Sequence, residues 1–160
     1  GGRMMYRAYI KDLDEFDYND VPHKGHFVYG NLIKGKPNDD VDAIVGDLIE
    51  INDEYVNVEF WKSIEKDSAE QYIGLKDVNG KEIYEGDIVT VQATNDDGST
   101  DGMLGKIVYD DDIASFEFTT TGKGGWYTSS FDNLFEEGFF DIHVIGNVHE
   151  NPELLEAQHG

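Results

Sequence analysis

The amino-acid sequence predicts an all-β protein with little helix, built as two packed β subdomains. Its aromatic and β-branched residues recur in short runs bounded by Gly, Asn and Asp, a pattern typical of strands and turns. Alternation is clear where Val56, Val58 and Phe60 are expected to face a core and Asn57 and Glu59 to face solvent. Stretches with helical periodicity are hard to find.

Ten strands are predicted along the chain, with turn residues between them. They span residues 5–10, 26–33, 43–51, 55–61, 71–75, 87–93, 103–109, 114–119, 125–129 and 143–149. Residues 62–70 carry few apolar side chains and are interpreted as a helical turn or a loop. Near the C-terminus, Asn151 as an N-cap, Pro152 at the first helical position and acids in the first turn predict a short helix.

The predicted organisation is two subdomains and a tail. Residues 1–3 are expected to be a remnant ahead of a native start, 4–70 an N-terminal β subdomain, 71–150 a C-terminal one, and 151–160 a short helix or tail. In the C-terminal subdomain, the Asn79–Gly80 pair favours a type I′ hairpin turn, because both residues tolerate positive φ. The strands and the polar loop that follow resemble the opening hairpins of a small, SH3-like, partly open barrel.

The charge balance is strongly acidic and uneven. The chain has 34 acidic and 12 basic residues, a net charge of -22. Residues 1–81 hold 17 acids and 10 bases (net -7), whereas residues 82–160 hold 17 acids and 2 bases (net -15). Binding to phosphate backbones depends on Lys and Arg, so this balance argues against direct nucleic-acid binding and against an anionic membrane surface.

The chain contains no cysteine. This excludes disulfides, thiolate zinc sites, iron–sulfur ligation and a cysteine nucleophile, and it indicates a reducing compartment. The N-terminus lacks the apolar stretch of a signal peptide, and no later run approaches membrane-spanning length. We therefore expect a cytoplasmic protein.

No catalytic residue, cofactor site or metal site is predicted. The five histidines, at positions 23, 26, 143, 149 and 159, stand in none of the familiar catalytic or zinc-binding arrangements. A metal site from His23, His26 and either Asp17 or Asp20 would need a further converging ligand.

Three loops that could suggest a ligand also lack the required pattern. The acidic loops 95–102 and 110–112 do not show the twelve-residue spacing of a calcium loop. The glycine-rich residues 122–125 lack the spacing of a phosphate-binding loop and are interpreted as a hairpin turn.

An aromatic stretch late in the chain is either core or a candidate interface, because aromatic side chains dominate both β-cores and binding hot spots. Its candidate interface residues are Trp126, Tyr127, Phe131, Phe135, Phe139 and Phe140. If it is an interface, the simplest partner is a second copy of the chain.

Two ordered motifs carry a family resemblance. The first is QYIGLKDVNGKEIYEGDIV at residues 71–89, with turn residues Gly74, Asp77, Asn79, Gly80, Gly86 and Asp87. The second is VIGNVHENPELL at residues 144–155. Together they resemble the YopX family of phage and prophage proteins, whereas residues 12–60 show no visible match. The first motif also contains the core candidates Ile83, Ile88 and Val89.

The resemblance implies a mostly β fold, a mobile-element origin and action in the cytoplasm of a bacterial host. It supplies no catalytic or binding residues. The leading hypothesis is a non-enzymatic phage accessory module that binds a protein, either a host protein or a second copy. The alternatives are an acidic DNA mimic that blocks a host nucleic-acid-binding protein, and a hydrolase whose site is assembled from scattered acids and histidines.

Overall fold

The computed structural model describes residues 5–16, 21–122, 125–130 and 140–156, and it confirms the all-β class. Thirteen strands occur in these residues: β1 Tyr6–Tyr9, β2 Phe27–Ile33, β3 Val41–Val45, β4 Leu48–Ile51, β5 Val56–Val58, β6 Trp61–Glu65, β7 Glu70–Lys76, β8 Glu82–Tyr84, β9 Asp87–Thr94, β10 Thr100–Asp110, β11 Ser115–Gly122, β12 Gly125–Ser130 and β13 Asp141–Asn147. The helices described are a 3-10 turn, Leu13–Phe16, and the C-terminal α1, Glu153–Glu156. The chain divides into two compact units, Gly1–Tyr72 and Ile73–Gly160.

The first unit is organised around an antiparallel sheet with the strand order β6-β3-β2-β1-β7. Its small central strand β1 lies between β2 and β7, with Ala8 opposite Val28. The core is a single apolar cluster made of Ala8, Ile10, Phe16, Val21, Val28, Ile44 and Ile64. Arg7 on β1 is also buried, and the cost of burying its charge is offset by an ion pair with Glu70 at 3.0 Å and by the Phe27 ring, whose centre is 4.3 Å away.

The second unit contains a five-stranded antiparallel sheet with the order β12-β11-β10-β9-β13. Strand β9 is central, between β10 and β13, and the expected core residues Ile83, Ile88 and Val89 are all fully buried. The core cluster is made of Ile83, Val89, Val91, Ile107, Phe118 and Ile142. In the described part of the chain, this sheet is open and the strands form no closed barrel.

The strands predicted at 43–51 and 55–61 are each interrupted. Residues 62–70, expected to be a helical turn or a loop, contain the end of β6, a loop at 66–69 and the start of β7. Each predicted strand corresponds to two: β3 and β4, then β5 and β6. Strand β6 begins at Trp61 and directs Lys62 and Ile64 inward, while Trp61 is 66% exposed. Lys62 is accommodated because its Nζ donates to Glu15 Oε2 at 3.0 Å. The low apolar content of residues 62–70 therefore did not predict this strand, because its buried face includes a lysine whose partner is distant in sequence.

The turn at Asn79–Gly80 is not of type I′. Gly80 has a φ of 83°, but Asn79 keeps a negative φ, whereas a type I′ turn needs positive φ at both central residues. Instead, Gly80 N donates to Asp77 O at 3.0 Å and Asp77 N donates to Lys81 O at 2.8 Å. The hairpin is therefore closed by a type I turn that is followed by a left-handed glycine.

None of the helices in the described residues is long or apolar enough to cross a membrane. The helix α1 follows Asn151, as the sequence suggests, but the Asn151 side chain does not cap it. Its Oδ1 accepts from Asn147 N at 3.2 Å, and the first helical turn is held by backbone bonds such as Leu154 N to Asn151 O at 3.1 Å.

Candidate functional site

The turn residues of the first motif form hydrogen bonds that hold turns and strands of the second unit together. Asp77 Oδ1 accepts from the backbone N–H groups of Asn79 and Lys81, both at 2.9 Å, and its Oδ2 accepts from Val144 N at 3.0 Å. Burial alone would raise the pKa of Asp77, but the three N–H donors outweigh burial and hold that pKa below its ordinary value. This carboxylate therefore ties the 77–81 hairpin to β13.

Gly86 and Asp87 hold the next turn. Gly86 has a φ of 87°, its N–H donates to Ile107 O at 2.9 Å, and its carbonyl accepts from Val148 N at 2.9 Å. The buried Asp87 accepts from Tyr84 N at 2.8 Å. Gly74, the remaining turn residue, also has a left-handed φ of 91°. The turn residues of the motif at 71–89 thus have a structural role: they stabilise the backbone of the turns.

The second motif folds mainly upon itself. Asn147 Oδ1 accepts from the N–H groups of His149 and Glu150, both at 3.0 Å, and Asn147 Nδ2 donates to Glu150 Oε1 at 2.9 Å. Asn151 N donates to Asn147 O at 2.9 Å. These contacts shape the turn after β13.

The histidines considered as metal ligands are held in aromatic and backbone contacts. The His23 ring stacks on Phe16 with centroids 4.0 Å apart, and the His26 ring stacks on Tyr9 at 5.1 Å. Their proposed companions Asp17 and Asp20 lie outside the described residues. Across the part of the chain that is described, no group of three or more His, Asp or Glu side chains is arranged to hold a metal ion.

The buried polar groups of the first unit are satisfied internally. Asp42 is fully buried and accepts from Lys34 Nζ, Gly35 N and Asp67 N, each at 2.8 Å. The hydrogen bond from the Lys34 ammonium, followed by those from the two backbone N–H groups, lowers the pKa of Asp42 to about 2. Within the described residues, every buried side-chain nitrogen or oxygen has a hydrogen-bond partner. The described buried polar groups therefore have structural roles, since their hydrogen-bond partners lie within the protein.

Most of the predicted aromatic interface lies outside the described residues. That is the case for Phe131, Phe135 and Phe139, and for the side chains of Trp126 and Tyr127, whose backbone belongs to β12. Phe140 is half-buried and packs against the core of the second unit. For Phe140, the core alternative is the observed one.

The most distinctive exposed feature is the hairpin of β4 and β5, residues 48–58. Its loop is closed by Asn52, whose Oδ1 accepts from Glu54 N at 2.8 Å and Tyr55 N at 3.1 Å. None of its side chains belongs to either core cluster. Large apolar side chains are nevertheless exposed along it: Leu48 by 59%, Ile49 by 67%, Ile51 by 68%, Tyr55 by 48% and Val56 by 54%.

The register of the hairpin collects its aliphatic residues on one face. Directly opposed residues share a face, and the pairs are Leu48 with Val58 and Ile51 with Val56. A bulge between Leu48 and Glu50 places two residues of β4 against one of β5, so Ile49 joins the same face. We call these five residues (48, 49, 51, 56 and 58) the apolar face of the hairpin.

The opposite face is polar. Glu50 is paired with Asn57, and its carboxylate accepts from Tyr55 Oη at 3.1 Å and from Asn57 Nδ2 at 3.5 Å. The alternation of Val56 and Val58 with Asn57 was visible in the sequence. The structure differs in leaving Val56 exposed, where burial was expected.

The hairpin is also acidic. Between Lys36 and Lys62 the chain has no basic residue, and residues 46–60 contain five acids: Asp47, Glu50, Asp53, Glu54 and Glu59. An uncovered aliphatic face with acidic surroundings is therefore the candidate functional site. Sequence reasoning missed it because the same alternation is expected of an ordinary core strand.

Comparison with known proteins identifies the family of the chain. The family model described as YopX protein matches residues 21–156, which include most of residues 12–60, where no match was visible in the sequence. The fold is similar to the crystal structure of protein EF1440 from Enterococcus faecalis, with a TM-score of 0.50 and 23% identity over 97% of this chain and 99% of that one. At this identity, the likeness concerns the fold alone. A comparison with curated proteins finds no match. Since the family model covers most of the sequence, the chain belongs to the YopX family.

Proposed function

We propose that this protein is a non-enzymatic phage or prophage accessory module that binds another protein through the apolar face of the 48–58 hairpin. The observation that carries the proposal is the exposure of Leu48, Ile49, Ile51 and Val56 on one face of a two-stranded ribbon. Contiguous exposed apolar surface is uncommon on monomeric soluble domains and marks interaction sites.

The exposure is not needed for folding. A two-stranded hairpin is at best marginally stable by itself in water. Here, backbone bonds between the two arms continue the ladder from β3 and β6 to the hairpin, with Gly46 N donating to Phe60 O at 2.9 Å and Glu59 N donating to Asp47 O at 2.9 Å. Polar side chains on the apolar face would leave these backbone bonds intact, so the aliphatic residues are better explained by a partner.

The test compares capture of bacterial host proteins by three matched baits under reversible cross-linking. The first is the wild type, the second the double variant Ile51→Ser/Val56→Ser, and the third the control Ile113→Ser, whose isoleucine is 60% exposed in the second unit. We expect proteins retained by the wild type and the control to be lost from the double variant. Equal retention by all three baits would refute the assignment of function to this face.

A second candidate function, the acidic DNA mimic, is favoured by the net charge of -22. A mimic would hold its partner through its carboxylates, so the double variant Ile51→Ser/Val56→Ser, which keeps every acid, should still capture that partner. Under the leading proposal, the same variant should lose the partner, because its apolar contacts are removed. Capture by the double variant, together with release of the partner by added duplex DNA, would therefore favour the mimic.

A further inference from the structure

We infer that the partner of the 48–58 hairpin is an extended segment of another protein in which apolar and basic side chains alternate. The inference rests on the proposed function and names the occupant of its site. Three properties of the hairpin support it: its strand edges, its two-sided chemistry and its charge.

The hairpin has strand edges available for pairing. In the described residues, β4 and β5 form a separate two-stranded sheet, and no third strand pairs with either. The outer edge of a strand presents backbone N–H and C=O groups that can template another strand. Peptide recognition by strand addition uses such an edge, with backbone bonds for affinity and alternate side chains for specificity.

The two faces of the hairpin dictate the alternation. A strand added beside β4 would place every second side chain next to Ile49 and Ile51, where aliphatic groups are required. The intervening side chains would lie beside Glu50 on the polar face. Opposite-charge pairs between neighbouring strands are stabilising, so those intervening positions favour Lys or Arg.

The charge also argues against a second copy as the occupant. Two identical hairpins would bring together two sets of five acids, with no basic residue between Lys36 and Lys62 to offset them. Each whole chain adds a net charge of -22. Like charges that face each other across an interface select against that pairing. A basic, apolar segment satisfies both features of the hairpin.

The experiment measures binding of fluorescent peptides to the full chain by anisotropy. The probe is a capped peptide of about nine residues, near the length of a long strand, that alternates Val and Lys. One matched peptide has the same composition with the lysines clustered, and another has Glu in place of Lys. We expect the alternating basic peptide to bind about tenfold more tightly than the clustered one, and the acidic peptide not to bind.

Three protein variants locate the site. Ile51→Ser removes an aliphatic contact and Glu50→Gln removes the charge beside the added strand, so each should weaken binding of the alternating peptide about fivefold or more. Asp111→Asn removes one charge from an exposed turn of the second unit and should leave the affinity within about twofold. Circular dichroism of each variant checks that it is folded.

The outcomes distinguish this inference from the proposed function. If the alternating and clustered peptides bind equally, and Glu50→Gln and Asp111→Asn weaken binding equally, the peptides are attracted by the total charge of the chain. That result would overturn this inference but not the proposed function. Self-association at high salt that Ile51→Ser abolishes would make a second copy the occupant, which also overturns the inference but keeps the hairpin as a binding site. Absence of peptide binding together with unchanged host-protein capture by the Ile51→Ser/Val56→Ser variant would overturn both.

Discussion

At the scale of single residues, buried carboxylates have structural roles in this strongly acidic chain. Asp42, Asp77 and Asp87 are each buried, and each accepts hydrogen bonds from backbone N–H groups of a nearby turn. A charged acceptor makes a stronger hydrogen bond than a neutral one, and it costs stability when its donors are removed. Some of the acidity therefore serves the fold, while the rest covers the surface.

Asp42 should make the stability of the protein pH-dependent. Its pKa is about 2 in the folded state, because Lys34 and two backbone N–H groups favour the carboxylate, and about 4 in an unfolded chain. The carboxylate thus contributes stability that is fully present above the unfolded pKa and is lost as the pH falls from about 4 towards 2. Asp42→Asn lacks this titration.

Urea unfolding of the wild type and Asp42→Asn from about pH 6 to pH 2 provides the measurement. We expect the wild type to be the more stable protein at the upper end and its advantage to shrink below about pH 4. A difference between the two proteins that stays constant over the whole range would contradict the assigned role of Asp42.

Gly86 should resist substitution for a backbone reason. Its φ of 87° is disfavoured for any side chain and most of all for a β-branched one, and both its N–H and its carbonyl are hydrogen-bonded. Gly86→Val should lower the free energy of unfolding by about 1–3 kcal/mol. The matched control is Gly102→Val, because an added Cβ there meets only ordinary contacts, the nearest at 3.6 Å, on an exposed strand position.

Thermal and urea unfolding of both glycine variants would test this prediction. An unchanged midpoint for Gly86→Val would show that the turn does not depend on the left-handed backbone. Similar losses for both variants would instead point to a general cost of valine in these strands.

At the scale of elements, strands with similar apolar residues differ in how far those side chains are buried. Ile44 on β3 is completely buried in the core of the first unit, whereas Ile51 on the neighbouring β4 is 68% exposed. Both are isoleucines in short antiparallel strands, so local propensity does not separate them. The hairpin of β4 and β5 therefore carries aliphatic side chains that the folded monomer does not bury.

Truncation of these two isoleucines should have very different effects on stability. Ile44→Ala removes core contacts and should cost about 2–5 kcal/mol. Ile51→Ala removes little buried area and should change the free energy of unfolding by less than about 0.5 kcal/mol. Chemical denaturation of both variants supplies the measurement, and a cost for Ile51→Ala close to that of Ile44→Ala would mean that the hairpin is covered in solution.

At the scale of the whole molecule, the net charge of -22 opposes compactness, because like charges repel one another more strongly in the folded chain than in an expanded one. The second half carries most of this excess, with a net charge of -15. Added salt screens the repulsion: the Debye length falls from about 30 Å at 0.01 M to about 3 Å at 1 M.

We therefore expect the melting temperature to rise by several degrees as NaCl increases from about 10 mM to about 300 mM. The double variant Asp111→Lys/Asp112→Lys, whose net charge is less negative by four than the -22 of the wild type, should show a smaller rise. Scanning calorimetry of both proteins gives the values. A melting temperature that falls with salt would mean that attractive pairs, such as Lys34 with Asp42, outweigh the repulsion.

The sequence by itself determined the all-β class, most of the strands and part of the core. Ile83, Ile88 and Val89 are buried as expected, because β-branched residues flanked by turn residues mark short strands that pack into a core. The alternation of Val56 and Val58 likewise defined a shared face. The type of the 77–81 turn did not follow from the Asn79–Gly80 pair, because the Asp77 side chain selects a different geometry.

Only the tertiary structure decided which of these faces meets a core. Alternation specifies which residues share a face, but burial depends on elements that are distant in the chain. Lys62 is buried because Glu15 lies beside it, and the neighbouring Trp61 is exposed. Among the described residues, Val56 belongs to neither core cluster and is 54% exposed. The candidate site is therefore defined by the exposure of its aliphatic side chains, and no local pattern in the sequence encodes that exposure.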